Sequence, residues 1–548
     1  MNGNLILLLH AHLPYVRHPE HEYSLEENWF FEAVRETYIP LLDAFEGMVN
    51  DGISPKITMS VSPTLTEMLY DELLRHRFVR HMEHLIELSE AEKIRTKGSP
   101  FESSAFLYNA KFKRIRQLYL ERYNGNLVSA FRKLQDDGHI EVVATAATHA
   151  FLPAFEHYPA AVKAQIDVGI KSYIRSFGRR PLGFWLPECG YFRGLDFFLR
   201  DAGMKYFFLE SHGVIHGRPR PRHSVYRSVL TPSGIAAFGR DFKSARQVWC
   251  ASRGYPGDPS YRDFYRDIGF DLPLDYVGSY TGLEGIKTFT GMKYHCVTGK
   301  SEQKLPYNRA NALRKVLEHA AHFVQEREYD LARLSGFGHF SKSGGPVVFS
   351  AFDAELFGHW WFEGIEWLNI TIRNISEHRA SFRVVTPVEY FDEHSADYMD
   401  SIEPSPSSWG EGGYNAMWIG ERNHRLYRRL HATVERMTLL KQRIGETENR
   451  RERGKNTDSP IHPFTHSLIQ RAINQAMRET FLSQASDWLF LMQKGRAAEY
   501  AEERIMRHIE RFDMLFSMVM NRDVNESRLK EMEESDNIFR RLDILKDN

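Results

Sequence analysis

This chain of 548 residues has few cysteines, a net charge close to zero and few long apolar runs. The three cysteines, Cys189, Cys250 and Cys296, include no CxxC pair, which argues against a disulfide framework or a thiolate zinc site and for a reducing compartment. With 71 Lys plus Arg against 72 Asp plus Glu, the formal charge of −1 favours neither nucleic acid nor a membrane as partner. The apolar run at residues 4–9 has no basic leader and is too short to span a bilayer. We therefore expect a cytoplasmic protein that acts on an uncharged substrate.

Length and aromatic side chains are what the sequence has in abundance. A chain this long exceeds what one hydrophobic core usually serves, so a large catalytic unit with one or two smaller domains is expected. Aromatic residues make up 13% of the chain. Trp360 follows two acids, while Trp409 and Trp418 lie in a Gly-rich stretch. Such placements favour platforms for the flat apolar faces of sugars.

Short apolar segments alternate with amphipathic ones over roughly the first 400 residues. Those predicted as buried strands are residues 4–9, 56–61, 139–143, 183–186, 206–209, 236–238, 346–351 and 382–385. Helical patterns occur between them at residues 25–45, 106–134, 160–177, 310–328 and 364–376. This alternation predicts a parallel β/α barrel, whose chemistry is carried out at the carboxyl ends of the strands.

The pattern changes after about residue 400. A Pro/Ser/Gly-rich segment is followed by helical patterns at residues 423–444, 464–492 and 496–520. Between the first two lies a polar segment, predicted as a loop near residues 445–460. The boundaries predicted from these changes are a catalytic barrel at residues 1–402 and a C-terminal helical domain at residues 403–548.

Two carboxylates directly follow predicted strands. Glu188 lies in GFWLPECGY at residues 183–191, and Asp353 lies in VVFSAFDAELFGHWW at residues 347–361. A single acid at a strand end is more often a cap or a salt-bridge member, but a pair on one barrel rim fits glycoside chemistry. One acid attacks the anomeric carbon, while the other protonates the leaving oxygen and later deprotonates the acceptor. Carboxyl groups about 5–5.5 Å apart give a retaining reaction.

Histidines recur at the same predicted rim. His10 and His12 follow the first strand, and strand alternation points both imidazoles to one side. Such pairs bind metal in some barrel hydrolases, with His149 as a possible further ligand. Spacing alone leaves open a metal-dependent hydrolase or deacetylase beside a site in which these histidines hydrogen-bond sugar hydroxyls.

Five segments in chain order resemble the signature regions of glycoside hydrolase family 57. They are HAHLP at residues 10–14, GHIEVVATAATHAFLP at 138–153, GFWLPECGY at 183–191, FSAFDAELFGHWW at 349–361 and ASDWLF at 485–490. The resemblance implies an α/β fold, namely an incomplete (β/α)7 barrel with a small insertion near residues 190–235 and a C-terminal all-helical domain. It also implies a retaining mechanism without metal or cofactor, in which Glu188 is the nucleophile and Asp353 the general acid/base.

The resemblance further makes His10, His12 and His149 sugar-binding residues. Trp185, Arg240, Trp360 and Asp487 are the other predicted substrate-binding residues in these segments and near them. Two features are similar to the branch-forming members of the family: an active-site loop near residues 240–262 with Tyr255 as its functional tyrosine, and the pair Trp409 and Trp418.

The implied activity is 1,4-α-glucan branching, which cleaves α-1,4 bonds and forms α-1,6 branches in a glycogen-like glucan. Its partners would be donor and acceptor glucan chains such as amylose or glycogen, with the protein a monomer or small homo-oligomer. An α-amylase or 4-α-glucanotransferase of the same family would use the same two carboxylates and is the alternative.

Overall fold

A curled, mostly parallel β-sheet lies at the centre of the fold. The computed structural model describes residues 3–250, 254–282, 285–299, 301–337, 340, 345–377, 380–394, 396–452 and 463–540. Its strands are β1 Gly3–Ala11, β2 Ile57–Val61, β3 Ile140–Thr145, β4 Gly183–Trp185, β5 Tyr206–Leu209, β6 Val229–Leu230, β7 Ala236–Gly239, β8 Val347–Asp353, β9 Phe382–Val384 and β10 Asp400–Ser401. They are ordered β10-β6-β7-β5-β4-β3-β2-β1-β8, with β9 also paired to β1. Each of the eight predicted strand segments overlaps one of these strands.

Helices cover the sheet and form the C-terminal region. They are α1 Leu25–Ala33, α2 Ile39–Asn50, α3 Pro63–Tyr70, α4 Glu72–Arg95, α5 Glu102–Gln117, α6 Leu127–Asp136, α7 Pro159–Phe177, α8 Leu195–Asp201, α9 Ser211–Ile215, α10 Phe242–Trp249, α11 Ile268–Asp271, α12 Leu274–Thr281, α13 Arg309–Ser335, α14 Gly364–Glu377, α15 Pro387–Glu393, α16 Tyr427–Glu452, α17 Pro463–Ser483, α18 Ser486–Lys494, α19 Ala498–Asn521 and α20 Glu526–Ser535. In the part of the chain that is described, no helix is long and apolar enough to cross a membrane.

The alternation of side chains along the apolar strand β1 explains why His10 lies on the inner face of the sheet. All nine of its residues are buried, as expected for a strand covered on both faces. Leu7 and Leu9 pack in the cluster between sheet and helices, whereas Ile6 and Leu8 belong to the cluster inside the curled sheet. Because side chains alternate, His10 continues the inner row at the carboxyl end of the strand.

The two ends of the strand order meet, so the sheet closes into an incomplete barrel. The backbone N–H of Asp241, just beyond β7, donates to the Phe349 carbonyl of β8 at 2.7 Å. The Val347 N–H donates to the Tyr226 carbonyl at 2.9 Å. Phe349 also packs inside the sheet, and the same alternation points Asp353 inward at the end of β8. The predicted fold class, an incomplete barrel with a helical C-terminal region, is confirmed.

The connections add detail to the predicted pattern. Residues 190–235, where a small insertion was predicted, contain β5, which was predicted as a strand and pairs in parallel with β4. The longest connection between strands of the sheet joins β7 to β8. The predicted helix 464–492 is two helices, because Ala485 forms a bridge with Ala150 on the barrel rim. Of the polar loop predicted near residues 445–460, the part up to Glu452 is helical, and residues 453–460 lie outside the described residues.

Candidate active site

A cavity of about 480 Å³ opens where the carboxyl ends of the strands meet the C-terminal helices. Ten predicted site residues line it, namely His10, His12, His149, Glu188, Arg240, Asp353, Trp360, Trp409, Trp418 and Asp487. It is also lined by residues that the motifs did not single out, namely Leu13, Trp249, Phe352, Glu355, Gly410, Glu411, Met417, Phe490 and Lys494. The structure therefore gathers both candidate catalytic carboxylates in one aromatic-walled cleft.

Glu188 is presented by a strained turn directly after β4. Its φ of 60° and ψ of 21° lie in the left-handed region, and the φ of Cys189 is 50°. Non-glycine residues adopt this conformation at a cost, and such strain clusters at functional sites. The Trp409 indole N–H donates to Glu188 Oε2 at 2.7 Å, and the Ser486 hydroxyl donates to Oε1 at 2.9 Å. Both carboxylate oxygens are therefore held in position from the C-terminal region.

A chain of hydrogen bonds extends from Glu188 towards β1. His149 Nδ1 lies 2.9 Å from Ser486 Oγ, and His149 Nε2 lies 2.8 Å from His10 Nε2. Burial lowers the pKa of both imidazoles well below its usual value, so both are neutral. Since Ser486 donates to Glu188, its oxygen accepts from His149 Nδ1–H, which leaves His149 Nε2 to accept from His10. The chain therefore fixes the tautomer of each ring.

Ser486 is a contact that sequence reasoning missed, although ASDWLF contains it beside the predicted Asp487. The break between α17 and α18 places it here, because the Ser486 N–H donates to the His149 carbonyl at 3.1 Å. The signal was present in the motif, but the contact with Glu188 joins residues that are 298 positions apart. Spacing within a sequence does not reveal such a contact.

His12 forms a separate ion pair with Asp487. Its Nε2 lies 3.0 Å from Asp487 Oδ2, and its Nδ1 lies 2.9 Å from Ser62 Oγ. Burial alone would lower the pKa of His12, but the Asp487, Glu188 and Glu355 carboxylates outweigh it and raise that pKa. The ring therefore has an enhanced tendency to carry a positive charge among these acids.

The arrangement of His12, His149 and Asp487 also bears on whether the histidines bind a metal ion. Potential ligand atoms of His12, His149 and Asp487 lie within 4.8 Å of one another. However, each ring nitrogen of both histidines already has a hydrogen-bond partner, among them Ser62 and Ser486. The three side chains thus form a complete hydrogen-bonded arrangement, and a cation there would have to displace these partners.

Asp353 and Glu355 add two more carboxylates on the β8 side. Glu355 Oε1 accepts from the Tyr38 hydroxyl and, at 3.2 Å, from the His12 backbone N–H. Burial raises the pKa of Asp353 to about 7, with the Glu188 carboxylate adding to the effect. Burial likewise raises the pKa of Glu188 and of Glu355 to about 7. Near neutral pH the site can therefore hold one acid protonated and another ionised.

Arg240 braces the wall between the two carboxylates. Its Nη1 donates to Glu210 Oε2 at 3.0 Å, and its Nε donates to the Ala351 carbonyl at 3.2 Å. The guanidinium carbon lies 5.4 Å from the centre of the Trp409 ring. Because Ala351 is two residues before Asp353 on β8, the contact ties β7 to the strand that carries that acid.

The aromatic candidates divide into three groups. Trp360 is 43% exposed in the cavity, and its ring stacks on Phe264 at 4.3 Å. Trp418 lines the cavity but is buried, with its ring 4.7 Å from Phe151. Trp185 does not line the cavity. Its buried ring lies 5.0 Å from Trp409, so it supports the wall.

Tyr255 also lies outside this cavity. Its ring stacks on His319 at 4.4 Å, and its hydroxyl contacts His322 Nδ1 at 2.9 Å and accepts from Gln247 at 2.7 Å. These contacts hold it against α13, in a separate groove. Of the predicted loop 240–262, residues 242–249 form α10, and residues 251–253 lie outside the described residues.

Comparison with protein families decides the class of this site. The family model of glycosyl hydrolase family 57 matches residues 6–403. The chain belongs to glycosyl hydrolase family 57. A second model, of the C-terminal part of 1,4-alpha-glucan branching enzymes, matches residues 429–545.

Family 57 relatives align with nearly the whole chain. A 1,4-alpha-glucan branching enzyme of Thermococcus kodakarensis is 31% identical over 577 residues, covering 98% of this chain and 78% of that protein. An alpha-amylase structure from Thermotoga maritima is 40% identical, with a TM-score of 0.88 and coverage of 100% of this chain and 99% of that one. A branching enzyme structure from Pyrococcus horikoshii is 32% identical, with a TM-score of 0.84 and coverage of 100% and 97%. These relatives are named for two different activities, branching and amylase.

Proposed function

We propose that the protein is a retaining 1,4-α-glucan branching enzyme. It cleaves α-1,4 bonds and forms α-1,6 branches in a glycogen-like glucan, acting in the cytoplasm as a monomer or small homo-oligomer. The proposal is supported most directly by the hydrogen bonds that Trp409 and Ser486 donate to the two carboxylate oxygens of Glu188. Ser486 lies within residues 429–545, which match the model of the C-terminal part of branching enzymes, and Trp409 lies shortly before them.

In the first step the Glu188 carboxylate attacks the anomeric carbon of the donor chain. The bond from that carbon to the leaving 4-oxygen breaks, and protonated Asp353 gives its proton to that oxygen. The hydrogen bonds to Glu188 orient its carboxylate for the attack. Arg240, fixed to the strand that ends in Asp353, keeps the acid on the leaving-group side. The product is a glycosyl ester on Glu188.

In the second step the Asp353 carboxylate removes a proton from the 6-hydroxyl of an acceptor glucan. That oxygen attacks the anomeric carbon, forms the α-1,6 bond and releases the Glu188 carboxylate. Water attacking in the same way gives hydrolysis. Trp360, Trp409 and Trp418 form apolar walls that favour a bound glucan over water.

The histidine cluster has a binding role in this scheme. His12, whose charged form Asp487 stabilises, brings positive charge to the cavity wall near the Glu188 carboxylate and any sugar bound beside it. Neutral His10 and His149 orient Glu188 through Ser486. No step requires a metal ion or a cofactor.

A product assay tests this function directly. Purified protein is incubated with amylose, the product is treated with a debranching enzyme, and debranched chains and reducing ends are counted against an Asp353→Asn control. New debranchable chains with few reducing ends, absent in the control, support branching. Abundant reducing ends without debranchable chains support the second candidate, an α-amylase, the activity named for the Thermotoga maritima structure that is 40% identical to this chain.

Chelation is expected to leave the activity unchanged. The proposed reaction uses two carboxylates and no metal, and the nitrogens of His12 and His149 already have hydrogen-bond partners. Protein is dialysed against EDTA, its metal content is measured, and the product assay is repeated with and without added zinc. Loss of activity that zinc restores would favour the metal-dependent hydrolase instead.

The rate is expected to follow a bell-shaped dependence on pH. Attack requires ionised Glu188, so the rate falls as pH drops below the pKa of that acid, raised to about 7. Leaving-group protonation requires protonated Asp353, so the rate also falls as pH rises above its pKa, likewise raised to about 7. Because the two acids repel each other's charge, the pair titrates in two steps on either side of this value. Initial rates across the pH range measure both limbs, and a rate that rises steadily into alkaline pH contradicts the assignment.

A further inference from the structure

Trp249 is a cavity residue that no motif singled out. It ends α10, and its side chain is 43% exposed although it lines the same cavity as Asp353. Large apolar side chains are usually interior, so an accessible indole inside a cleft is available to a ligand. Sugars present flat C–H faces to such rings.

The helix that carries Trp249 is fixed to the strand that carries Asp353. The Asp241 side chain caps α10, while its backbone N–H donates to the Phe349 carbonyl of β8 at 2.7 Å. Ser244 Oγ and Ser350 Oγ, from α10 and β8, are 2.6 Å apart. Trp249 therefore belongs to a helix that is tied to the strand carrying Asp353.

The sheet order tells which side of the cavity Trp249 occupies. His149 and Glu188 follow β3 and β4, which are neighbours in the sheet. Arg240 and Asp353 lie at the seam where β7 meets β8, on the far side of the curled sheet from β3 and β4. Trp249 follows β7, so it belongs to the acid/base side of the cavity.

We propose that Trp249 is the platform on which the acceptor glucan stacks beside Asp353, and that it sets the ratio of transfer to hydrolysis. The inference rests on the proposed function, in which one acid serves both the leaving chain and the acceptor. Both chains must therefore occupy the side of the cavity where Asp353 lies. A ring that holds a glucan there raises the local concentration of its 6-hydroxyl relative to water.

The test compares Trp249→Ala, Trp249→Leu and Trp249→Phe with Phe242→Ala. Phe242 begins the same helix, is 60% exposed and is absent from the cavity lining, which makes it a matched control. Debranchable chains and reducing ends are measured over a series of acceptor concentrations. We expect the transfer-to-hydrolysis ratio to fall about tenfold in the Ala and Leu variants, with a higher KM for acceptor, because stacking on an aromatic ring is lost. In Trp249→Phe this ratio should stay within about threefold of that of the unmodified protein. In Phe242→Ala the ratio should equal that of the unmodified protein.

Three outcomes would contradict the proposed role of Trp249 or the function on which it rests. An unchanged ratio in Trp249→Leu, which keeps apolar bulk without a flat ring, overturns the inference even if Trp249→Ala fails to fold. An equal fall in Phe242→Ala also overturns it, because the effect would then come from the helix as a whole. If the unmodified protein forms no debranchable chains, the proposed function itself fails, which is a distinct result.

Discussion

Replacing Glu188 with Gln is expected to lower glucan processing by roughly 10⁴-fold or more, since the amide cannot form the glycosyl ester. Branch formation and reducing-end release should be lost together, because both outcomes pass through the same ester. The measurement is the sum of debranchable chains and reducing ends formed from amylose per unit time. Ser486→Ala is the matched control, since it removes one of the two donors to Glu188 but keeps the carboxylate.

The same substitution should stabilise the fold at alkaline pH. Burial raises the pKa of Glu188 to about 7 in the folded chain, above the value of 4.5 expected when it is exposed. The folded state therefore binds more protons between these values, and stability declines as pH rises through them. At pH above 7 the neutral amide avoids this cost, a gain of up to about 3 kcal/mol. Loss of activity with a higher melting temperature separates a catalytic role from a structural one. A variant that keeps activity and melts lower contradicts both expectations.

Much of this architecture follows from local patterns in the sequence. Apolar runs predicted the strands because buried parallel strands need apolar side chains on both faces. Strand alternation predicted that His10 and His12 point to one side, and the ends of the predicted strands placed Glu188 and Asp353 at the rim where parallel strands present their chemistry. The positions of both candidate carboxylates in one cleft needed no knowledge of long-range contacts.

What the sequence did not reveal depends on contacts between distant segments. Ser486 reaches Glu188 only because α17 ends where Ala485 forms a bridge with Ala150 on the barrel rim. Glu355 is held in the site by a hydrogen bond from the Tyr38 hydroxyl, more than 300 residues away in the chain. Tyr255 lies in a Gly/Pro-rich stretch typical of a loop, yet its side chain packs against α13 and outside the cavity. Turn chemistry predicts that a loop exists but not which surface it contacts.

Replacing Asp353 with Asn should give a different defect, because in the proposed reaction this acid serves both steps and Glu188 remains as the nucleophile. With amylose we expect a loss of roughly 10²–10⁴-fold, the usual range for removing a general acid/base. A maltooligosaccharide with an aryl leaving group of low pKa does not need protonation, so its first step should stay fast. The ester on Glu188 should then accumulate, visible as a burst of aryl alcohol and as added mass on the protein.

A small anion distinguishes the two carboxylates. Azide needs no general base, so it should attack the ester in Asp353→Asn, restore turnover and give a glycosyl azide of retained anomeric configuration. Glu188→Gln should show neither burst nor this rescue, because it forms no ester. A burst in Glu188→Gln, or an azide product of inverted configuration from Asp353→Asn, would reverse or remove the proposed roles. Because both acids lie in one buried site with similarly raised pKa values, their different chemical rescue assigns them more directly than a pH profile does.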